Sequence, residues 1–413
     1  MKRAIVLSGG GARGGYQFGA WHALRKMYKR IDIVTGTSIG ALNGCLIVQN
    51  DYHKARNMWE NLNFSNVFDK EIELDYNTTK GKRKLVKTYL EAAILEGGMD
   101  VKSLAATIGG AINYKRFYNS RKDFGLITFK LNNLSTLSLT KADIKEEQLL
   151  DYLIASATCY PAFKTKKIGD EHYIDGGYGD NLPINLAIKM GATEIIAVDL
   201  NVFGMNKKID NPDVSIRYIK PRNKLGNFLA FDSDLSKRSI RLGYNDTMKE
   251  FKRLDGKNYT FKHYHLAFNL WLNSKKIKKQ LEQFTNSTLL NVYEKRVMPN
   301  NNKEYVDYIN DNLEYLGNLF KIDDSYIYGI FDYHNHLLKA LDQIEMVTRK
   351  SLEEKIKNGE FKELFSRRLL IRYLYDKMFT QDKPRVKQDL AGLAVIFPKE
   401  FFGALYLYTI KKH

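Results

Sequence analysis

Apolar and polar residues follow two different spacings along the first 200 residues of the chain. Short apolar runs, which predict buried strands, lie at 4–7, 31–35, 124–140 (two runs), 172–175 and 194–200. Apolar residues recur at helical spacing, which predicts helices, at 16–28, 39–48 and 146–157. Strands that alternate with helices are typical of a three-layer α/β/α core with a mainly parallel sheet, and this is the fold class that we predict.

The pattern changes after residue 262, where strand-like runs vanish. Stretches rich in Lys, Glu, Leu and Tyr replace them, as in residues 349–379. We therefore predict two domains, an α/β domain over 1–262 and an α-helical C-terminal domain over 263–413. Residues 51–115 are mostly helical in pattern and more charged, which predicts an insertion over the sheet.

Composition indicates the size and setting of the fold. Of the 413 residues, 44% are hydrophobic, which is enough for a sizeable core. The two cysteines, Cys45 and Cys159, argue against a disulfide framework or a cysteine-built metal site. The N-terminal apolar run is too short for a signal peptide, and no apolar stretch is long enough to cross a membrane. We therefore expect a cytoplasmic protein, with peripheral attachment to a membrane as an alternative.

The chain is strongly basic, with 65 Lys and Arg against 47 Asp and Glu and a net charge of +18. Excess positive charge favours anionic partners such as acidic lipid surfaces, nucleic acid or nucleotides. A lysine-rich surface whose charges are simply solvated would give the same balance. Charge alone therefore selects no partner.

A glycine-rich loop follows the first predicted strand, in the pattern Gly9-x-Gly11-x-x-Gly14. Such loops point backbone N–H groups at negative charge. A dinucleotide-binding unit has the same pattern, but it requires an acidic residue at the end of its second strand. Asp32 lies at the start of that strand instead. A loop that donates hydrogen bonds to an oxyanion is the better explanation of the glycines.

The second motif, Gly36-Thr37-Ser38-Ile39-Gly40, lies between a predicted strand and a helix of small residues. A serine on a sharp strand-to-helix turn exposes its hydroxyl, and flanking glycines remove side chains that would clash. The pattern therefore predicts that Ser38 is a nucleophile. A serine hydroxyl reacts only when a base takes its proton.

The base is not obvious among the eight histidines. His172 is the nearest candidate, but it lies within a predicted strand. Asp175 ends that strand and is followed by Gly176 and Gly177. On its own this pattern is typical of a turn aspartate. The two upstream motifs favour a catalytic carboxylate.

Three segments in this order, "GGGARGGYQFGAWHAL", "GTSIGALNG" and "DGGYGDNLP", resemble the patatin-like phospholipase family. The segments "ASATCYPAF" and "GATEIIAVDL" resemble the family's sequence around its aspartate. The resemblance covers about residues 1–262 and does not extend to residues 263–413.

The resemblance implies a Ser38–Asp175 dyad without histidine, in which Asp175 activates Ser38. It implies an oxyanion hole made by the amides of Gly10, Gly11 and Ala12. It also gives motif roles to a set of supporting residues: Gly9, Arg13, Gly14, Gly36, Gly40, Gly176 and Gly177. The expected activity is phospholipase A-type hydrolysis of a lipid or phospholipid ester. Neither a cofactor nor a metal is expected, and no nucleic acid is expected as a partner.

The helical region leaves alternatives open. Residues 268–284 combine apolar residues with lysines, so they either lie on an anionic membrane surface or pack within the domain. Residues 390–410 are apolar but interrupted by Pro398-Lys399-Glu400, which predicts two buried helical pieces. Alternative functions are acyl transfer to an acceptor other than water, and a lipid-cleaving effector regulated through the helical domain.

Overall fold

The computed structural model describes residues 2–68, 78–202, 204–263, 265–284, 305–346, 366–380 and 384–412. The chain forms two compact units, Met1–Glu250 and Phe251–His413.

The first unit contains a sheet surrounded by helices. Its strands are β1 (Arg3–Leu7), β2 (Ile33–Thr37), β3 (Asp123–Lys130), β4 (Ser135–Thr140), β5 (Lys166–Ile168), β6 (Glu171–Asp175), β7 (Glu194–Val198) and β8 (Ser215–Ile219). Its helices are α1 (Gly14–Met27), α2 (Ile39–Gln49), α3 (Tyr52–Glu60), α4 (Thr79–Leu95), α5 (Lys102–Ala111), α6 (Tyr114–Tyr118), α7 (Leu149–Ala157), α8 (Ile184–Lys189) and α9 (Ser233–Glu250).

The sheet has the strand order β5-β6-β3-β2-β1-β7-β8, and β4 also pairs with β3. Strands β3, β2, β1, β7 and β8 are parallel, whereas β4, β5 and β6 pair in antiparallel fashion. The prediction of a mainly parallel α/β sheet is therefore confirmed. In a parallel sheet the carboxyl ends of the strands meet at one edge, and ligand sites form there.

The central strands are the most apolar. In β1, Ala4–Leu7 is completely buried, as expected for a strand covered on both faces. Strand β8 has no continuous apolar run and is largely exposed, which is why the apolar pattern did not predict it. Helices α3–α6 occupy the predicted insertion at 51–115, of which residues 69–77 lie outside the described part of the chain.

The second unit is mainly helical, as predicted. Its helices are α10 (His265–Phe284), α11 (Tyr305–Phe320), α12 (Ile330–Asp342), α13 (Arg367–Met378), α14 (Pro384–Ile396) and α15 (Pro398–Lys412). A small sheet joins β9 (Leu254–Asp255), β10 (Thr260–Lys262) and β11 (Ile327–Tyr328). Because β10 pairs with both β9 and β11, these strands belong to the second unit. The division at Glu250 therefore precedes the predicted one at residue 262.

The two helical segments with open alternatives, residues 268–284 and 390–410, pack into the core of the second unit. In α10, Ile277 and Leu281 are completely buried. Residues 390–410 form two helices that divide before Pro398, and most of α15 is buried. Residues 349–365 of the predicted helical stretch lie outside the described residues. Among the described helices, none combines the length and the apolarity that crossing a bilayer requires.

Candidate active site

Ser38 occupies the sharp turn between β2 and α2. Its backbone angles, φ 57° and ψ −128°, lie in a region that residues other than glycine rarely adopt. A Cβ on Gly36 would lie 2.2 Å from the carbonyl oxygen of Gly40, and a Cβ on Gly40 would lie 2.3 Å from that of Leu7. The turn therefore fits against β1 only when positions 36 and 40 carry no side chain.

The amide of Ser38 is held by a residue on α7. It donates a hydrogen bond to Ser156 Oγ at 2.8 Å, and this hydroxyl donates to the carbonyl oxygen of Ile127 on β3 at 2.6 Å. Ser156 is completely buried and ties the turn to the sheet. The only signal for Ser156 in the sequence is its place in the segment "ASATCYPAF", and this segment does not indicate its bond to the Ser38 amide.

Asp175 is the last residue of β6, and strand β3 brings it to Ser38. Strand β2 ends with Thr37 opposite Ile127, and β6, running the other way, ends with Asp175 opposite Thr128. The carboxyl ends of the two strands therefore meet at successive positions of β3. There Ser38 and Asp175 line the same cavity, and the side chain of Ser38 is near enough to the carboxyl group of Asp175 to favour its ionised form.

The surroundings of Asp175 make it a stronger base than an ordinary aspartate. The residue is only 7% exposed, and burial raises its pKa from 3.8 to about 6. The side chain of Ser38 and a hydrogen bond from the amide of Gly177 at 2.8 Å oppose this rise in pKa. At neutral pH the carboxyl group is therefore ionised and able to accept a proton.

The glycine-rich loop lies beside the Ser38 turn, because a Cβ on Gly9 would be 3.2 Å from the Cβ of Ser38. The amide of Ala12 donates to the carbonyl oxygen of Phe228 at 2.7 Å, so it is not available to an oxyanion. The prediction that Ala12 is a donor is wrong for this structure. Within the described part of the chain, the amides of Gly10 and Gly11 make no hydrogen bond to protein.

Arg13 fastens the glycine loop rather than extending into the site. Its guanidinium donates to the carbonyl oxygen of Gly226 from Nε at 3.0 Å and from Nη2 at 2.8 Å. Gly226 lies two residues before the carbonyl group that Ala12 binds. Arg13 and Ala12 together therefore attach the loop to the segment 226–228.

Ser38, Asp175 and the glycine loop face a cavity of about 370 Å³, a size typical of small-molecule sites. Ser38, Asp175, Asn181 and the backbone of 9–11 supply polar groups to its wall. The remaining wall is mostly apolar and includes Phe163, Val202, Met205, Phe228, Leu229 and Phe231. The cavity therefore suits an apolar molecule with one polar reacting group.

Residues 5–188 match the family model described as Patatin-like phospholipase, and this span includes Ser38 and Asp175. Residues 5–188 form a patatin-like phospholipase domain. The recognition from the three sequence segments is confirmed. The chain is 30% identical over 208 residues to "Patatin-like phospholipase domain-containing protein 6" of Homo sapiens, covering 48% of this chain. The chain spans only 13% of the length of that relative.

Other similarities concern a viral protein and two solved structures. The chain is 26% identical over 189 residues to "Probable lipid hydrolase 463L" of Invertebrate iridescent virus 6, covering 45% of this chain and 63% of that protein. VipD from Legionella pneumophila aligns with 99% of this chain and 91% of its own, with a TM-score of 0.40 and 13% identity. The type III effector protein ExoU aligns with 100% of this chain and 88% of its own, with a TM-score of 0.35 and 13% identity.

A buried polar network supports the glycine loop of the patatin-like domain. Gln17 donates from Nε2 to the carbonyl oxygen of Ser8 at 2.7 Å, just before the loop. Asn43 on α2 donates to Gln17 at 2.9 Å and accepts from Trp59 Nε1 at 2.8 Å. The amide of Gly9 donates to Asn181 Oδ1 at 3.1 Å. The network links α1, α2 and α3 to the loop, so the loop is held by buried partners.

The alternatives weighed from the sequence lie away from the site of the patatin-like domain. His172 is exposed on β6, where its ring nitrogen Nδ1 lies 3.0 Å from Thr165 Oγ1. Asp32 accepts a hydrogen bond from the amide of Arg3 at 2.9 Å and pairs with Arg30, so its carboxylate stabilises the start of β2. In the described parts of the chain, no three His, Cys, Asp or Glu residues are grouped to hold a metal ion.

Proposed function

We propose that the patatin-like domain hydrolyses carboxylic esters of phospholipids or related lipids, with Ser38 as nucleophile and Asp175 as base. The single observation that supports this most strongly is that Ser38 and the buried carboxyl group of Asp175 meet in the wall of one cavity. A nucleophile beside its base is the minimal arrangement for covalent ester cleavage. Catalysis then belongs to the first unit of the chain.

Each group has a defined task in this reaction. Asp175 accepts the hydroxyl proton while Ser38 Oγ attacks the ester carbonyl carbon. The oxyanion accepts hydrogen bonds from the amides of Gly10 and Gly11, and each such donor is typically worth about 10²–10³ in rate. The C–O bond to the alcohol breaks, the alcohol takes the proton, and the acyl group remains on Ser38. Water, deprotonated by Asp175, then attacks the acyl carbon, the bond to Ser38 Oγ breaks, and Asp175 returns the proton to Ser38 as the fatty acid leaves.

Two observations support a lipid as the substrate class. The cavity wall beside the reacting groups is mostly apolar, so it can enclose an acyl chain. The virus relative is named a probable lipid hydrolase, and the human relative is named for its phospholipase domain. A small polar ester would leave most of this wall without a partner.

The test combines active-site labelling with product analysis. A fluorophosphonate probe should label Ser38 in the wild type, and Ser38→Ala and Asp175→Asn should each lower phospholipid hydrolysis by at least about 10³-fold. Asp170→Asn is the matched control, because Asp170 is exposed in the turn before β6. Free fatty acid as the product supports hydrolysis, whereas acyl transfer to an added alcohol would identify a transferase. Unchanged hydrolysis in Ser38→Ala would refute the dyad.

A further inference from the structure

Helix α4 has two apolar faces, and only one of them is covered. Leu85, Tyr89 and Ala92 are buried. Val86, Leu90 and Ile94 follow one another at every fourth position, and they are 49%, 56% and 78% exposed. Three large apolar side chains in one exposed row are more than the scattered single residues that soluble surfaces carry.

The exposed row has basic residues around it. The helix sequence TKGKRKLVKTYLEAAIL holds five Lys or Arg residues and one Glu. Arg83 lies two turns before Leu90 on the same face, and Lys80 and Lys87 lie beside it, all three of them exposed. The combination of an apolar row with flanking cations is typical of helices that lie on anionic lipid surfaces.

Apart from Lys87, which pairs with Glu91 at 3.5 Å one turn later, these cations lie where they do not stabilise the helix. Most of the basic residues lie in the first two turns, and the first turn contains no acidic residue. The helix dipole favours negative charge at this end, so a cation in the first turn is unfavourable for the helix. The excess of cations gives this end of the helix a positive potential, which favours an anionic partner.

The buried face of α4 packs against the wall of the active-site cavity. The hydroxyl of Tyr89 donates to the carbonyl oxygen of Leu229 at 3.2 Å, and its ring centroid lies 6.4 Å from that of Phe163. Leu229 and Phe163 both line the cavity. A parallel bridge between Met99 and Phe163 ties the chain just after α4 to the same wall. A surface bound by α4 is therefore close to the cavity.

We infer that the exposed face of α4 is the surface through which the catalytic unit docks on an anionic lipid layer, an inference that rests on the proposed lipid hydrolase function. A second copy of the chain is disfavoured, because two such faces would bring two sets of the cations Lys80, Arg83 and Lys87 together. Nucleic acid is disfavoured by the apolar row at the centre of the face. The lysine-rich helix α10 is a weaker candidate, because Ile277 and Leu281 are buried.

The test measures binding and chemistry separately on the full-length chain. Vesicles of phosphatidylcholine, with or without phosphatidylglycerol, are sedimented with the Ser38→Ala protein, so that the lipid is not consumed. Leu90→Glu and Ile94→Glu are then added to this background. Phe331→Glu is the matched control, because Phe331 is 70% exposed on α12. The same substitutions with Ser38 intact are assayed on vesicles and on a soluble short-chain ester.

We expect binding that requires phosphatidylglycerol and weakens with salt. Leu90→Glu and Ile94→Glu should each lower vesicle binding and vesicle hydrolysis about tenfold, because a charge replaces an apolar side chain that docking would bury in the lipid. Both should leave hydrolysis of the soluble ester unchanged, and Phe331→Glu should behave as wild type.

The outcomes distinguish this inference from the proposed function. Wild-type vesicle binding by both α4 variants would overturn the docking role while leaving the hydrolase intact. A change of oligomeric state in the α4 variants would overturn it as well, because a second copy would then cover the face. Absence of soluble-ester hydrolysis by wild type would instead refute the proposed function, and the binding arm in the Ser38→Ala background would still test α4.

Discussion

Ser38 has to meet two requirements that conflict in one residue. The reaction needs a hydroxyl, whereas the turn needs a φ of 57°, which suits glycine. A strained backbone of this kind costs about 1–3 kcal/mol and persists only where its surroundings enforce it. Here the bond from the Ser38 amide to Ser156 and the contact of α2 with β1 provide that enforcement.

The backbone strain at Ser38 predicts that two inactivating substitutions differ in their free energy of unfolding. Ser38→Gly should raise the free energy of unfolding by about 1 kcal/mol relative to Ser38→Ala, because only glycine adopts the turn without strain. Both variants lose the hydroxyl and should be inactive. Urea unfolding of the two purified variants measures the difference. Equal stabilities would mean that position 38 is unstrained in solution.

The raised pKa of Asp175 predicts the pH dependence of catalysis. The base must be ionised, and ionisation increases as pH rises through about 6, so kcat/KM should rise with pH around that value. Below it the rate should fall about tenfold per pH unit. The measurement is kcat/KM for a soluble ester between about pH 5 and pH 8.

Asp180 provides the control for this profile. Burial also raises the pKa of Asp180 to about 6, but Asp180 does not line the cavity. Asp180→Asn should therefore keep the same midpoint in its pH profile. If the midpoint disappeared in Asp180→Asn, the pH profile would report the ionisation of Asp180 and not that of Asp175.

At the scale of elements, the site depends on how tightly α2 begins against β1. A Cβ on Gly40 would lie 2.3 Å from the carbonyl oxygen of Leu7 and 2.7 Å from that of Ser8. Both of these are backbone atoms, so they cannot move aside as a flexible side chain could. The start of α2 and the end of β1 therefore fix the position of the nucleophile relative to the glycine loop.

Gly40→Ala should lower the free energy of unfolding by about 1–3 kcal/mol or more, because it overpacks this contact. It should also lower kcat strongly, since Ser38 would be displaced. Gly110→Ala is the matched control on α5, where Gly110 is exposed and an added Cβ meets nothing within 4 Å. That control should gain up to about 1 kcal/mol from better helix propensity. Equal effects of the two substitutions in a thermal melt would contradict the packing account.

Local chemistry explains which parts of the site could be predicted from the sequence. The strand, turn and helix around Ser38 are contiguous, so their apolar runs and glycines indicate the turn directly. The role of Ser156 depends on an amide 118 residues away, and no local pattern indicates that pairing. The same limit explains the error at Ala12, because its amide is taken by Phe228, far along the chain. Partners distant in sequence become visible only in the fold.

At the scale of the whole molecule, the chain has two separate hydrophobic cores. The second unit buries its own apolar cluster, mostly on α10–α15, and the sheet of the first unit includes no strand of the second unit. A unit with its own core can in principle fold alone. Every residue that lines the active-site cavity lies between Gly9 and Phe231, within the first unit.

We therefore expect residues 1–250 alone to fold and to hydrolyse a soluble short-chain ester with kcat/KM within about threefold of the full chain. The physical reason is that the nucleophile, the base, the oxyanion donors and the cavity wall all belong to this unit. Circular dichroism and a single cooperative melt would establish that the fragment is folded before its activity is compared. A folded fragment without esterase activity would show that catalysis requires the second unit, whereas a fragment that does not fold would contradict the independence of the two cores.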